Sequence, residues 1–251
     1  MRVLDLFSGI GGMSLGLERA GMQTVAFCEI EEFPRRVLAK HWPEVPCYED
    51  IKSLTAEDLC TRGISVDVIC GGFPCQDISL ANQDGQGLEG ERSGLWSEYA
   101  RLVREVRPRF VIVENVSALL GRGFGRVLGD LAAIGYDAEW HCLPADPFGA
   151  PHIRDRVWVV AYPSESQRGP LNFSCERVAW FDTLSQRQEG SGGPTRILEA
   201  AWGQDPVMVA NAIVGMDDGV PVRMDGYNAC ANAVVTKIPE MIGRAIMEAA
   251  A

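Results

Sequence analysis

The chain has 251 residues, 47% of them hydrophobic and 23% charged, enough apolar side chain for a sizeable core in one domain or one domain plus a lobe. Lys plus Arg is 23 against Asp plus Glu 34, a net charge of −11, which excludes a protein that holds nucleic acid by bulk charge. The cations are nearly all arginine, lysine occurring only at Lys40, Lys52 and Lys237, and arginine suits bidentate pairing with phosphates, carboxylates and base edges.

In chain order, β-branched apolar runs predict strands over 2–6, 24–28, 66–70, 110–113 and 157–162. Several are apolar almost throughout, as strands covered on both faces are. A helix is expected to open at Gly12. Leu95, Tyr99, Leu102, Val103 and Val106 recur at helical spacing, as do Phe124, Val127, Leu128 and Leu131. This alternation predicts an α/β fold with a doubly wound, mostly parallel sheet and ligands at the carboxyl ends of its strands.

Residues 163–206 are rich in Gly, Ser, Pro and Gln and predict a small irregular lobe. Order returns over 207–251, where Ile238, Met241, Ile242, Ala245, Ile246 and Ala249 mark one face of a terminal helix expected to pack back on the sheet. The organisation is thus 1–162, 163–206 and 207–251. No run approaches the roughly 18 apolar residues of a membrane helix, and Met1 leads straight into a strand-like segment. The eight cysteines form no Cys-x-x-Cys pair, so neither a metal site nor a disulfide framework is expected, and a cytoplasmic protein follows.

Two constellations carry chemistry. Asp5-Leu6-Phe7-Ser8-Gly9-Ile10-Gly11-Gly12 follows the first strand, and its glycines let the backbone turn tightly and approach a ligand. It is not the dinucleotide fingerprint, which would need glycine at Ser14. Glu29 and Ile30 end the second strand, where a carboxylate can bond ribose hydroxyls. Asp50 and Ile51 offer a second carboxylate beside an apolar side chain, suited to an adenine. Together they favour a nucleoside-bearing cofactor.

The second constellation is Gly71-Gly72-Phe73-Pro74-Cys75-Gln76 after the third strand, where Pro74 stiffens the backbone before Cys75. Cys28 and Cys70, in predicted strands, and Cys142 read as core residues. Cys75, in a glycine-flanked turn, reads as a presented nucleophile. Glu114 and Asn115 end the fourth strand, and a carboxylate emerging from four apolar residues is expensive unless paired or functional.

In this order the pieces resemble the C5-cytosine DNA methyltransferases, over residues 3 to about 162, and the compact versions found in small phage-type enzymes. The Pro-Cys-Gln and Glu-Asn-Val motifs, about 40 residues apart, are the specific signal. Arg154-Asp155-Arg156 is similar to the family's Gln-x-Arg-x-Arg motif with His152 in place of Gln, and Asn232-Ala233-Val234 to its last motif with Ala231 in place of Gly.

The resemblance implies the class I S-adenosylmethionine-dependent methyltransferase fold with residues 163–206 as a short target-recognition lobe. It implies that Asp5, Phe7, Ser8, Gly9, Gly11, Gly12, Glu29, Ile30, Asp50, Ile51, Pro74, Asn232 and Ala233 bind S-adenosylmethionine. Cys75, Glu114, Arg154 and Arg156 would be catalytic, and Gln76, Ser79 and Arg92 would contact double-stranded DNA. Cys75 would attack C6 of a flipped cytosine while Glu114 holds its N3 and amine edge, Arg156 the O2 edge, and Arg154 supports Glu114 or a phosphate. The stretch 84–94 would be a lid. A monomeric bacterial or phage-encoded DNA (cytosine-5)-methyltransferase is implied. Two alternatives stay open at this point: a tRNA methyltransferase using the same chemistry, and a weakened remnant that binds cofactor or DNA.

Overall fold

The computed structural model describes residues 1–74, 94–145, 148, 155–164 and 234–250. Its strands are β1 (Arg2–Leu6), β2 (Gln23–Cys28), β3 (Cys47–Tyr48), β4 (Val68–Gly71), β5 (Phe110–Val116), β6 (Tyr136–Leu143) and β7 (Arg156–Pro163). Its helices are α1 (Gly12–Arg19), α2 (Glu32–His41), α3 (Ala56–Thr61), α4 (Gly94–Val106), α5 (Leu119–Arg122), α6 (Phe124–Ile134) and α7 (Lys237–Ala249). The strands form one seven-stranded sheet in the order β3-β2-β1-β4-β5-β7-β6. Strands β1 to β5 run parallel, and β7 is antiparallel to both its neighbours. The order reverses at β1 and β4, whose carboxyl ends therefore open a crevice.

Alternation along each strand feeds two cores. Leu4, Leu6, Ile69, Val111 and Val113 pack with Trp96, Tyr99, Leu102 and Val103 of α4 and Val127 and Leu131 of α6. On the other face Val3, Val68, Phe110, Ile112 and Val160 meet Met13 and Leu17 of α1 and Ile238, Ile242 and Ile246 of α7. The terminal helix thus packs back on the sheet through α1. Contact between the helices needs glycine: a Cβ on Gly16 would strike the Thr236 carbonyl, and one on Gly243 would lie 2.7 Å from the Cβ of Ala20. Pro239 and Gly243 join the buried face of α7, while Ala249 is exposed.

Three expectations shift. Strand β5 does not end at 113 but runs through Glu114 and Asn115 to Val116, because β7 pairs with it that far. Strand β6, at the sheet edge, carries Asp137, Glu139 and His141 and leaves Trp140 and Cys142 exposed, a pattern too polar to read as a covered strand. Cys142 lies on β6 and is exposed, so it is not a core cysteine, whereas Cys28 and Cys70 are buried. Among the described residues, no helix is long and apolar enough to cross a membrane and no cluster of His, Cys, Asp or Glu could hold a metal ion.

Candidate active site

The loop between β1 and α1 is built on left-handed backbone. Phe7, Gly9 and Gly11 have φ of 53°, 52° and 85°, a conformation that costs a residue with a Cβ energy and glycine almost none. At Gly11 glycine is needed twice over, since a Cβ there would lie 2.6 Å from the Trp42 ring. Gly11 is also the N-cap of α1 and has no side chain to cap it.

Asp5 supplies an acceptor from the strand below, taking a bond from the Ser14 amide in the first turn of α1. Ser14 Oγ donates to its Oδ2 at 2.7 Å, and Ser8 Oγ donates to its backbone carbonyl at 2.6 Å. Asp5 is 1% exposed. Desolvation pushes its carboxyl up to about 7, against the lowering effect of the bonds from Ser14 and Cys70.

Glu29, at the end of β2, faces the same loop. Its Oε2 accepts from the Gly9 amide at 2.7 Å and its Oε1 from the Glu31 amide at 2.8 Å. One carboxylate thus fixes the glycine turn, and each oxygen keeps a lone pair. Ile30 beside it stands 65% exposed, whereas Ile51 is buried. Asp50 turns its own loop by accepting from the Lys52 amide at 2.9 Å. A Cβ built on Gly9 would meet nothing within 4 Å, so the space above the turn is open.

The next strand end carries the second constellation. Leu6 and Gly71 are register partners, so the two loops leave adjacent strands. A Cβ on Gly72 would lie 2.6 Å from Glu114 Oε2, and only glycine lets that carboxylate rest against the backbone here. Arg156 Nε holds Glu114 Oε1 at 2.9 Å, both side chains being largely buried. Its Nη1 donates to the Asp155 carbonyl at 2.9 Å. The resemblance gives Arg154 the support of Glu114 or a phosphate and Arg156 the O2 edge; the structure brings Arg156 to Glu114, because Val116 opposite Arg156 in the β5–β7 register leaves Glu114 two residues away on the same face.

Asn115 ties the turn that follows. Its Nδ2 donates to the Phe73 carbonyl at 2.9 Å and its Oδ1 accepts from the Val116 amide at 2.9 Å. Phe73 is buried against Trp96, with ring centroids 5.2 Å apart. Pro74 is exposed. Burial pushes the Cys28 thiol up to about 12 and the Cys70 thiol well above its ordinary value, so neither supplies a thiolate.

The structure therefore brings Asp5, Phe7, Ser8, Gly9, Gly11, Gly12 and Glu29 into one cradle, and Gly72, Pro74, Glu114 and Arg156 to the adjoining strand ends. Gly12 also meets the end of the chain, since a Cβ on it would lie 3.0 Å from the Val234 carbonyl. Cys75, Gln76, Ser79, Arg92, Arg154, Asn232 and Ala233 lie outside the described residues, as do the lobe from residue 165 on and all of the lid expected over 84–94 except Gly94, which opens α4. Ser14, Gly72 and Asn115 do work that the sequence reading did not assign them.

The sheet order, the glycine turn after β1 and the acidic ends of β2 and β5 define a class I S-adenosylmethionine-dependent methyltransferase fold. A profile of the C-5 cytosine-specific DNA methylases matches residues 1–189, and the chain belongs to that family. Similar curated proteins include the Type II methyltransferase M2.BsuMI of Bacillus subtilis (strain 168), 35% identical over 169 residues that make up 64% of this chain and 42% of that protein. M.Eco47II of Escherichia coli is 37% identical over 172 residues, 66% of this chain and 40% of the relative. The chain thus spans less than half the length of either.

A crystal structure of a prophage-encoded Escherichia coli protein assigned as a DNA modification methyltransferase superposes with a TM-score of 0.58 at 27% identity, over 70% of this chain and 49% of that one. Spodoptera frugiperda DNMT2 shares the fold, with a TM-score of 0.56 at 20% identity over 67% of this chain and 52% of its own.

Proposed function

We propose that the chain is a DNA (cytosine-5)-methyltransferase that moves a methyl group from S-adenosylmethionine to C5 of a cytosine flipped out of double-stranded DNA. One observation carries the reading. The Glu114 carboxylate, braced by Arg156 at 2.9 Å, rests against Gly72, three residues before Cys75.

The cradle fits the cofactor. Backbone with open space above Gly9, a Glu29 carboxylate with lone pairs for ribose hydroxyls, and the apolar face of exposed Ile30 suit a nucleoside, with Asp50 and Ile51 at its adenine end. Asp5, Ser8 and Gly11 act from beneath by shaping the turn. Phe7, Gly12, Pro74, Asn232 and Ala233 are assigned to the same site. When bound, S-adenosylmethionine supplies the electrophilic methyl group.

The remaining chemistry belongs to the chain. C5 of cytosine is a weak nucleophile until the ring loses its aromaticity. The Cys75 thiolate adds to C6, while the Glu114 carboxylate accepts from the exocyclic amine and stabilises a proton on N3. Arg156 orients Glu114. Loss of the C5 proton then lets the thiolate leave. Arg154 sits close in sequence to this pair, and Gln76, Ser79 and Arg92 are assigned to the DNA. Residues 1–162 form the catalytic unit, 163–206 the target-recognition lobe and 207–251 the segment that returns to the sheet. The match to the C-5 cytosine-specific DNA methylases supports DNA over tRNA, and the relatives' names as Type II methyltransferases support a restriction-modification setting.

Bisulfite sequencing of host DNA after expression tests the reading and supplies the target sequence. Conversion-resistant cytosines in one sequence context are expected with the wild type and none with Cys75→Ala. DNA carrying 5-fluorocytosine in that context should form a covalent complex that survives denaturation. Methylation confined to RNA, or trapping by Cys75→Ser, would overturn the assignment.

Gly72→Ala offers an independent check. Its Cβ displaces a carboxylate that Arg156 holds in place, so methyl transfer should fall by about 10²-fold, the usual result of misplacing a reacting group by an ångström or so. The melting temperature should stay within a few degrees of wild type. Undiminished kcat would mean that the seat of Glu114 on Gly72 is not its working position.

A further inference from the structure

Helix α4 has two anchors, and they hold opposite parts of the site. At its first turn Trp96 packs against Phe73, two positions before Cys75 in the chain, and donates its Nε1–H to Asp130 at 2.8 Å. One and a half turns later, Arg101 reaches the loop that follows β3. Its Nη2 donates to the carbonyls of Ile51 and Leu54, each at 2.9 Å. Its Nε and Nη1 are held by Glu98 at 2.7 Å and Glu105 at 2.9 Å. The second oxygen of Glu105 accepts from the Ala56 amide at 3.1 Å, so the loop is gripped at both ends. The side chain is 26% exposed, and its guanidinium uses all three of its nitrogens in this way.

The loop it grips carries Asp50. The Asp50 carbonyl accepts from the Ser53 and Leu54 amides, which makes 50–54 one tight turn with its carboxylate on the outside. Ile51 and Leu54 are buried, and their carbonyls need donors that the turn itself does not supply. Only a planar fork with several N–H groups can meet two carbonyls and two carboxylates at once; an ammonium on a flexible stem cannot.

We infer that Arg101 is a positioning residue that sets where the adenine end of the cofactor lies relative to the catalytic turn. The inference rests on the cofactor reading above and deepens it. Through Arg101 the adenine-side loop is registered on α4, and through Trp96 the same helix is registered on Phe73. A ligand that spans both therefore meets a fixed separation, and loss of the clamp loosens the adenine side alone.

The test is calorimetry of the full chain with S-adenosylhomocysteine, for the wild type, Arg101→Met and Arg101→Lys. Arg101→Met keeps the apolar stem and removes every donor, so its Kd should rise about tenfold, the order of one lost net hydrogen bond. Arg101→Lys, which can meet one carbonyl at a time, should fall between it and the wild type. KM for S-adenosylmethionine should rise in parallel while kcat at saturation stays within about twofold. Amide hydrogens over 51–56 should exchange faster in both variants without faster exchange in β1 or β4.

A folded Arg101→Met or Arg101→Lys protein with wild-type Kd would overturn the inference and leave the cofactor reading standing, the clamp then being a stabilising strut only. If Arg101→Met does not fold, the lysine variant decides by the same criterion. A wild-type chain that fails to bind S-adenosylhomocysteine would overturn the cofactor reading itself.

Discussion

Arg156→Ala is expected to lower methyl transfer by about 10²-fold or more, as loss of a group that readies an acid–base residue usually does. Glu114 sits on a sheet face between apolar strands, and the Arg156 guanidinium holds it at 2.9 Å. Without the guanidinium a largely buried carboxylate loses one charged partner. Breaking a fully buried pair costs about 3–5 kcal/mol; with both groups still partly solvated, roughly 1–3 kcal/mol of stability should go. Glu114→Gln removes the charge and keeps the shape, so it should lose as much activity with less loss of stability.

The double variant separates the two effects. If the residues act as a pair, Glu114→Gln in the Arg156→Ala background should cost little further activity and recover part of the stability. Urea midpoints and single-turnover rates measure both quantities. Additive losses in rate would show that Arg156 serves catalysis by some route other than Glu114.

The second large effect is a pH dependence that originates beneath the cofactor turn. The Asp5 carboxyl is raised from 3.8 to about 7 by desolvation. Between these values the folded chain holds a proton that the unfolded chain has lost, so this group's contribution to stability falls as pH rises through that window. Below about 4 the contribution is complete. Above about 7 the cost of a buried charge is fully present, on the order of 4 kcal/mol for three pH units.

Asp5→Asn should remove the dependence. The discriminating quantity is the difference in unfolding free energy between wild type and variant at pH 5 and at pH 8, because Asn brings its own cost at every pH through an amide that needs acceptors. The difference should shift by several kcal/mol in favour of the variant at the higher pH. Parallel profiles for the two proteins would mean that Asp5 titrates in its ordinary range and that Ser14 and Cys70 stabilise its charged form fully.

Much of this molecule is local and therefore legible along the chain. A run such as Val3-Leu4 or Phe110-Val111-Ile112-Val113 has few places to go except between two layers of helix, and the alternation of such runs with helical spacing leaves few topologies. The glycines of the first loop and the acidic strand ends follow from position in that alternation. So do the cradle and the side of the sheet on which it lies.

What escaped was decided by partners distant in sequence. Strand β6 is polar along much of its length and forms only because β7 pairs with it at the edge. Glu114 and Arg156 meet across a strand register that no spacing reports. The bonds from Ser14 to Asp5, from Gly9 to Glu29, and from Arg101 to the carbonyls of Ile51 and Leu54 each join separate elements. Gly72 is glycine because a carboxylate 42 positions later lies where its Cβ would be. Periodicity and composition record which face of an element is apolar. The tertiary structure alone decides which polar group of one element satisfies which group of another, because a buried donor or acceptor takes whatever partner the packed sheet brings within about 3 Å.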